Sequence, residues 1–323
     1  MYKITLSAAL TIVLATTGCS GKKKQEGLEP PLPVPVGSGS AVGSATTGSG
    51  AGSATATPKL ASVTLKDVGF MTPESVLYDA VADVYLVSNI NGKPTDADDN
   101  GFISRLSPDD RKVTELKWID GSKPDVKLDA PKGMVISDGV LWVADITVVR
   151  KFDAKTGKPM GEVKIDGAKF LNDVAPAPGG GVYVTDTENE AVYAIFKTGV
   201  VKPLIKQKDL GGPNGVVIVG DVVWVVTKAG TMFSVPDGRA GSPAASEPKP
   251  TKLPKSQLDG IVAIDGEFMV SSWDGKTVYR GKPDQWKDLA LDLESPADIG
   301  WDSKRNKLLV PLFNADAVTI VDF

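Results

Sequence analysis

The feature that most constrains the fold is a sixfold recurrence of one short pattern. Each copy has a three-residue turn, a short apolar strand, a second turn and a second apolar strand. In the copy that begins at Pro213, two runs rich in β-branched residues flank Gly220-Asp221, which is the usual signal of a hairpin. The six opening turns are Pro73-Glu74-Ser75, Pro131-Lys132-Gly133, Leu171-Asn172-Asp173, Pro213-Asn214-Gly215, Leu258-Asp259-Gly260 and Pro296-Ala297-Asp298.

The spacing of these turns predicts an all-β, six-bladed β-propeller. After a longer first interval the turns recur about every forty residues, which is the length of one four-stranded blade. An all-β sandwich with coincidental turns is the rival interpretation, and it would have to explain six copies in register. The last copy lacks one strand, whereas Ala61–Val68 precedes the first copy as a spare strand. We therefore expect the N-terminal strand to complete the last blade and close the ring.

Two insertions interrupt the repeat. Asn91–Asn100 lengthens a hairpin of blade one, and Arg239–Gln257 lengthens blade four, where we expect a surface loop. Asp96–Ile103 partly matches an EF-hand loop, but Ser107 stands where that loop needs a bidentate Glu. We interpret it as a hairpin loop with at most a weak cation site.

The N-terminal residues predict export. Residues 1–18 have a charged Lys3 and the apolar run Ile4–Ala15, typical of a signal peptide. The chain's one cysteine, Cys19, follows in a context that resembles the lipobox of bacterial lipoproteins; an ordinary secretory signal with an incidental cysteine is the alternative. Residues 19–58 are rich in Pro, Gly and Ser and predict a disordered tether, with the propeller over 59–323. We expect lipidation of Cys19, a membrane anchor and a location in the cell envelope.

Composition removes several kinds of chemistry. The chain has no histidine and a single cysteine, which excludes Ser-His-Asp and Cys-His catalysis, histidine-containing zinc sites and cysteine-based metal clusters. The net charge of −4 gives no reason to expect nucleic acid as a partner.

The middle residue of each opening turn carries the site prediction. The first strand of a blade runs along the central channel, so equivalent residues at its start form a ring. This ring contains Glu74, Lys132, Asn172, Asn214, Asp259 and Ala297. Four of the six are oxygen donors, and two carboxylates with two amides suit Ca²⁺ or another divalent hard cation.

At these positions the chain resembles the SMP-30/gluconolactonase group of six-bladed propellers, in which a calcium ion lies in the central channel. In that family the residues matching Glu74, Asn214 and Asp259 bind the metal, and the residue matching Asn172 lies beside metal and substrate. Gly180–Asp186 with Asn189 is also similar to an NHL repeat, a structurally related unit that is often non-catalytic.

Lys132 leaves two interpretations open. Its ammonium could pair with Glu74 or Asp259 and satisfy the ring without a metal, or it could face a substrate and bind an anion or stabilise an oxyanion. In a chain without histidine the catalytic base has to be a carboxylate, for which Asp259 is the first candidate. Asp173 and Asp298, one residue beyond the ring, are the second choices.

The resemblance implies a calcium-dependent hydrolase of lactones or related esters, with a small-molecule substrate in the channel. Glu74, Asn172, Asn214 and Asp259 are the expected metal site, and Asp259 with Lys132 the expected catalytic residues. The alternative is a non-catalytic, NHL-like propeller that binds a ligand or an envelope protein.

Overall fold

Twenty-four short strands form six four-stranded antiparallel sheets in a computed structural model that describes residues 60–238 and 248–323. Blade one contains β2 (Pro73–Asp79), β3 (Val84–Asn89), β4 (Phe102–Ser107) and β5 (Lys112–Asp120). Blade two contains β6 (Pro131–Ser137), β7 (Val140–Asp145), β8 (Val148–Asp153) and β9 (Pro159–Lys164). Blade three contains β10 (Leu171–Pro176), β11 (Gly181–Asp186), β12 (Ala191–Phe196) and β13 (Val201–Lys206). Blade four contains β14 (Pro213–Val219), β15 (Val222–Thr227), β16 (Thr231–Pro236) and β17 (Thr251–Lys252). Blade five contains β18 (Leu258–Ile264), β19 (Glu267–Ser272), β20 (Thr277–Lys282) and β21 (Gln285–Asp288). Blade six contains β22 (Gly300–Asp302), β23 (Lys307–Leu312) and β24 (Ala317–Asp322), with a short 3₁₀ turn over Phe313–Ala315.

The N-terminal strand closes the ring, as predicted. Strand β1 (Ser62–Leu65) pairs antiparallel with β24, and the Thr64 and Thr319 hydroxyls lie 2.9 Å apart across this pair. Blade six is therefore built from both ends of the propeller. The inner strands of blades six and one are also joined directly, because the Asp298 amide donates to the Glu74 carbonyl at 2.9 Å. This arrangement confirms the six-bladed fold and leaves no radial edge open.

The core lies between blades. Six buried apolar clusters occur in the described ranges, and each joins one pair of neighbouring sheets. Trp142, Tyr183, Phe268 and Met269, at matching second-strand positions, are buried in these clusters, and the half-buried Trp224 packs on Phe268 with ring centroids 5.1 Å apart. The second-strand aromatic residues thus stabilise blade packing, as the pattern predicts.

A β-bulge recurs at the start of the inner strand. In the first five blades the register between first and second strand shifts at the opening turn, as between Pro213 and Val216. Bulges leave residues unpaired and redirect their side chains. The residues of the predicted ring therefore occupy irregular positions at one end of the channel.

Glycine follows the ring residue in three blades because neighbouring blades approach closely there. A Cβ on Gly215 would lie 2.2 Å from the Asp259 carbonyl oxygen, and one on Gly260 would lie 2.2 Å from the Ile299 nitrogen. Such distances exclude any side chain unless the backbone moves. The glycines keep the inner strands close together, and this closeness brings the ring residues into one small space.

The interpretation of Arg239–Gln257 as a surface loop is wrong for its second half. Within it, β17 pairs with β16 as the fourth strand of blade four. Only two residues form this strand, close to Pro250 and Pro254, so the segment lacks the run of four to eight apolar residues by which strands are recognised. Residues 239–247 lie outside the described residues.

The predictions for residues 1–59 stay predictions. The signal peptide over 1–18, the lipidated Cys19 and the tether to residue 58 all lie outside the described residues. Across 60–238 and 248–323, no helix has the length and apolar character needed to cross a bilayer.

Candidate functional site in the central channel

One cavity at the end of the channel brings the predicted residues together. Its volume is about 120 Å³, and its walls include the side chains predicted from the opening turns, Glu74, Lys132, Asn172, Asn214 and Asp259. All five are buried. Ala297, the sixth ring member, is also buried but lies outside the cavity wall. The wall is completed by Ile90, Pro94, Phe170, Lys228, Gln257, Leu258, Trp273 and Phe313.

Both carboxylates of the cavity have an oxygen without a hydrogen-bond partner in the described ranges. These atoms are Glu74 Oε2 and Asp259 Oδ1, and both are fully buried. The other oxygen of Asp259, Oδ2, accepts a hydrogen bond from Trp273 Nε1 at 2.8 Å. A buried carboxylate oxygen that lacks a donor is costly unless a cation or a proton satisfies it.

The pKa values express the same cost. Burial raises the pKa of Glu74 well above its ordinary value, and the nearby Asp259 charge raises it further. Burial also raises the pKa of Asp259 to about 6, while Lys228 and the Trp273 hydrogen bond oppose the rise. Without a cation the two carboxyls therefore stay protonated to a higher pH than ordinary carboxyls, whereas a bound divalent cation would keep both ionised.

The two asparagines have their amide nitrogens committed to the protein. Asn172 Nδ2 donates to the Thr187 hydroxyl at 3.1 Å, and that hydroxyl donates to the Pro213 carbonyl at 2.7 Å. Asn214 Nδ2 donates to the Leu258 carbonyl at 3.1 Å. Neither amide oxygen accepts a hydrogen bond from a residue in the described ranges. The cavity thus combines two carboxylate and two amide oxygens that are open to a ligand, a donor set that suits Ca²⁺.

Lys132 forms no ion pair with either carboxylate. Its Nζ donates to the carbonyls of Pro94 at 2.9 Å and Ala130 at 3.0 Å, and lies 4.7 Å from the centre of the Phe170 ring. Burial lowers the pKa of Lys132 to about 8, and the Glu74 charge opposes this shift. Pro94 belongs to the insertion in blade one, so this insertion helps to hold the lysine at the cavity.

Several residues of the cavity were not predicted, although the chain carries a signal for them. Each blade has one residue that directly follows its second strand. These residues are Ile90, Ile146, Thr187, Lys228, Trp273 and Phe313. Four of them line the cavity, and Thr187 binds Asn172. The signal was missed because it is positional and not a motif: the six residues share no side-chain chemistry.

A second pair of carboxylates lies one residue deeper. Asp298 Oδ2 accepts a hydrogen bond from the Ser75 hydroxyl at 2.5 Å, while Asp173 accepts from the Val174 and Val216 amides at 2.6 and 2.7 Å. Burial raises the pKa of Asp173 to about 7 and that of Asp298 well above its ordinary value. Neither lines the cavity. Their hydrogen bonds tie inner strands together, which makes them poor candidates for a base acting on a ligand in the cavity.

The EF-hand-like stretch does not gather its acidic side chains. Asp98 accepts a hydrogen bond from Asn100 Nδ2 at 2.6 Å, and Asp99 pairs with Lys127. In the part of the chain that the structure describes, no three acidic, histidine or cysteine side chains form a cluster suited to a metal ion. Residues 96–101 of the stretch lie in the loop between β3 and β4, as expected for a hairpin loop, and its last two residues begin β4.

Solved structures with the same architecture are known, although no protein-family profile and no curated sequence matches the chain. A gluconolactonase from Xanthomonas campestris aligns with a TM-score of 0.63 at 15% identity, covering 81% of this chain and 89% of its own. Virginiamycin B lyase from Staphylococcus aureus aligns with a TM-score of 0.59 at 15% identity, covering 82% of this chain and 100% of its own; a histidine-to-alanine variant of that lyase is catalytically inactive. A chain of a nidogen/laminin complex aligns with a TM-score of 0.52 at 14% identity, covering 67% of this chain and 78% of its own.

These alignments confirm the predicted likeness to gluconolactonase-type propellers for the fold. The similar structures include two kinds of enzyme and a protein complex, so the fold alone does not determine activity. Activity has to be argued from the side chains in the cavity.

Proposed function

We propose that the protein is a divalent-cation-dependent hydrolase of lactones or related esters, with calcium held by Glu74, Asn172, Asn214 and Asp259. The observation that carries the proposal is the pair of buried carboxylate oxygens, Glu74 Oε2 and Asp259 Oδ1, that lack a partner in the described ranges and share a cavity with two amide side chains. An all-oxygen set with two negative charges favours a hard cation over zinc or copper.

The absence of histidine bears on the choice between the two enzyme classes found among the similar structures. The lyase is inactive when one histidine is replaced by alanine, whereas this chain contains no histidine at all. A lyase reaction that needs such a side chain is therefore ruled out here. Hydrolysis assisted by a cation and a carboxylate needs only residue types that the cavity provides.

Each side chain then has a role in the reaction. A bound calcium ion would act as a Lewis acid on the lactone or ester carbonyl. Asp259 is the candidate general base, because the chain has no histidine and Asp259 is a carboxylate of the cavity wall. Lys132 places a positive charge at the cavity wall, where it would bind an anionic group of the substrate or stabilise the oxyanion that develops as water attacks. Trp273 holds Asp259 Oδ2 and so fixes the direction of Oδ1.

Calcium binding and turnover should be measured on the same purified protein. We expect calcium to raise the melting temperature and a chelator to abolish hydrolysis across a panel of lactones and esters. Asp259→Ala should remove both the calcium response and turnover, whereas Glu188→Gln, at an exposed residue outside the cavity, should keep both. If calcium leaves the melting temperature unchanged and no substrate is turned over, the non-catalytic binding protein is the correct interpretation.

A further inference from the structure

We propose that the substrate carries an oxyanion, a carboxylate or a phosphate group, and that Lys132 and Lys228 bind this group together beside the ring of Phe170. The proposal deepens the proposed function and rests on it for the identification of the ligand as a substrate. It adds Lys228 as a residue that determines specificity.

Two ammonium groups lie near one aromatic ring at the cavity. Lys132 Nζ is 4.7 Å and Lys228 Nζ is 5.2 Å from the centre of the Phe170 ring. All three residues line the cavity. Lys132 lies in the inner strand of blade two, Lys228 directly follows the second strand of blade four, and Phe170 directly precedes the inner strand of blade three. A contact between a cation and an aromatic face is favourable for each lysine, but the two like charges also act on each other, since the Lys228 charge lowers the pKa of Lys132.

Neither ammonium is neutralised by a direct ion pair. Lys228 makes no side-chain hydrogen bond or ion pair with a residue in the described ranges. Only 1% of the surface of Lys132 is exposed. Two of its three N–H donors have acceptors in the described ranges, and both acceptors are backbone carbonyls. A buried ammonium without a counter-ion is expensive, and a second one nearby increases the cost.

The balance of charge in the cavity identifies the sign of the ligand. Glu74 and Asp259 carry two negative charges when ionised, and Lys132 and Lys228 carry two positive ones. If a divalent cation occupies the carboxylates, the acidic groups that still act on Lys132 are Asp145 and Asp129, and both already pair with Arg150. The buried Lys132 and the half-buried Lys228 then lack a counter-ion of their own. A ligand with one or two negative charges removes this imbalance, whereas a neutral ligand leaves it.

The apolar side chains of the cavity wall indicate the character of the rest of the ligand. Trp273 and Phe313 lie against each other with ring centroids 5.1 Å apart, and Ile90 adds a third apolar surface. These side chains suit the carbon skeleton of a small molecule, whose anionic group would point to the lysines. The inferred class is therefore a small lactone or ester that bears a carboxylate or phosphate substituent.

Paired substrates test the proposal. We would compare a neutral sugar lactone with the same lactone bearing a carboxylate and with the same lactone bearing a phosphate. We expect kcat/KM to favour at least one anionic substrate over the neutral one by about 10-fold or more, the contribution of a hydrogen bond to a charged group. Lys228→Gln should remove this preference, since the ammonium is lost but little packing changes. Lys228→Arg should retain part of the preference.

Lys202→Gln is the matched control. Lys202 also lies over a phenyl ring, 5.6 Å from the centre of Phe196, but outside the cavity, so its replacement should not alter the preference. The carboxylate and phosphate substrates distinguish the two forms of oxyanion. Equal turnover of neutral and anionic substrates by the wild-type protein, or an equal effect of Lys228→Gln on both, would overturn the proposal.

A binding measurement separates this proposal from the hydrolase itself. Inorganic phosphate and acetate should be titrated calorimetrically into the purified protein, with calcium and with a chelator. Binding that Lys228→Gln weakens about 10-fold, without hydrolysis of any lactone, would support the anion site and contradict the proposed function. Hydrolysis without any anion binding, and without any preference for anionic substrates, would support the proposed function and overturn the anion site.

Discussion

At the scale of single residues, hydrogen bonds to neighbouring groups hold the ring residues of the cavity in place. Trp273 donates to Asp259, Thr187 accepts from Asn172, and the Leu258 carbonyl accepts from Asn214. Each of these contacts fixes the orientation of one ring residue. Because the ring residues are buried, the loss of one such partner should change their chemistry more than their packing.

The Trp273 hydrogen bond offers a specific test of this view. It lowers the pKa of Asp259 against the effect of burial, so Trp273→Phe should raise that pKa further, by about one unit for a hydrogen bond to a charged group. If ionised Asp259 is the base, the acidic limb of the kcat/KM profile should move to higher pH. Trp286→Phe is the control, because Trp286 Nε1 has no partner in the described ranges. An unmoved acidic limb would contradict the role of Asp259.

At the scale of secondary-structure elements, the site is produced by one device that is repeated around the ring. Each of the first five inner strands begins with a bulge at the opening turn. A regular strand would pair these residues with the second strand, whereas the bulge frees them to turn towards the channel axis. The same bulge places carboxylate, ammonium and amide groups at equivalent positions, so each of these five blades contributes one polar ring residue to the cavity wall.

Gly215→Ala should show how closely the inner strands are packed. The added methyl group would lie 2.2 Å from the Asp259 carbonyl oxygen, so we expect overpacking to lower the free energy of unfolding by about 1–3 kcal/mol. Because the displaced backbone is that of Asp259, calcium stabilisation should weaken as well. Urea unfolding with and without calcium measures both effects. Gly220→Asn is the control, because Gly220 has open space around its Cα and asparagine tolerates its positive φ; a similar loss from both variants would refute the packing argument.

The sequence predicts the strands better than it predicts the cavity wall. The β-branched runs and the turn residues repeat with a fixed period, so the blades and the ring residues such as Glu74 and Asp259 can be found from spacing. Lys228 and Trp273 cannot be recognised in this way, because they share a position in the blade but no chemical character. The two-residue strand β17 was missed for a different reason: it is defined by its partner β16, and a pairing of two residues leaves no pattern in the chain.

At the scale of the whole molecule, the six sheets bury acidic side chains around the channel axis, and burial makes their ionisation costly. Four carboxyl groups are buried in the channel, two in the cavity and two one residue deeper. The deeper pair, Asp173 and Asp298, is satisfied by hydrogen bonds from backbone amides and from Ser75. The cavity pair, Glu74 and Asp259, has free oxygens. The carboxylate oxygens without partners therefore lie in the cavity that Lys132, Asn172 and Asn214 also line, whereas the hydrogen-bonded pair lines a second cavity.

This distribution predicts how stability should depend on pH. The pKa of Asp259 is raised to about 6 and that of Asp173 to about 7, with Glu74 and Asp298 raised well above their ordinary values, in each case first by burial. The folded protein therefore holds protons that the unfolded chain releases near pH 4, and its stability should fall as the pH rises from about 4 through 7. Each unit of raised pKa contributes about 1.4 kcal/mol to this loss.

Calcium should oppose only part of that loss. By binding the ionised forms of Glu74 and Asp259 it removes their contribution, while Asp173 and Asp298 continue to contribute because they lie outside the cavity wall. Melting temperatures measured between pH 5 and pH 8 should therefore fall steeply with a chelator and less steeply with calcium. In Glu74→Gln the slope with chelator should already be reduced and calcium should change it little. Parallel slopes in the wild-type protein with and without calcium would show that the cavity carboxylates do not bind the ion, because a cation that binds only their ionised forms must stabilise the fold more as the pH rises.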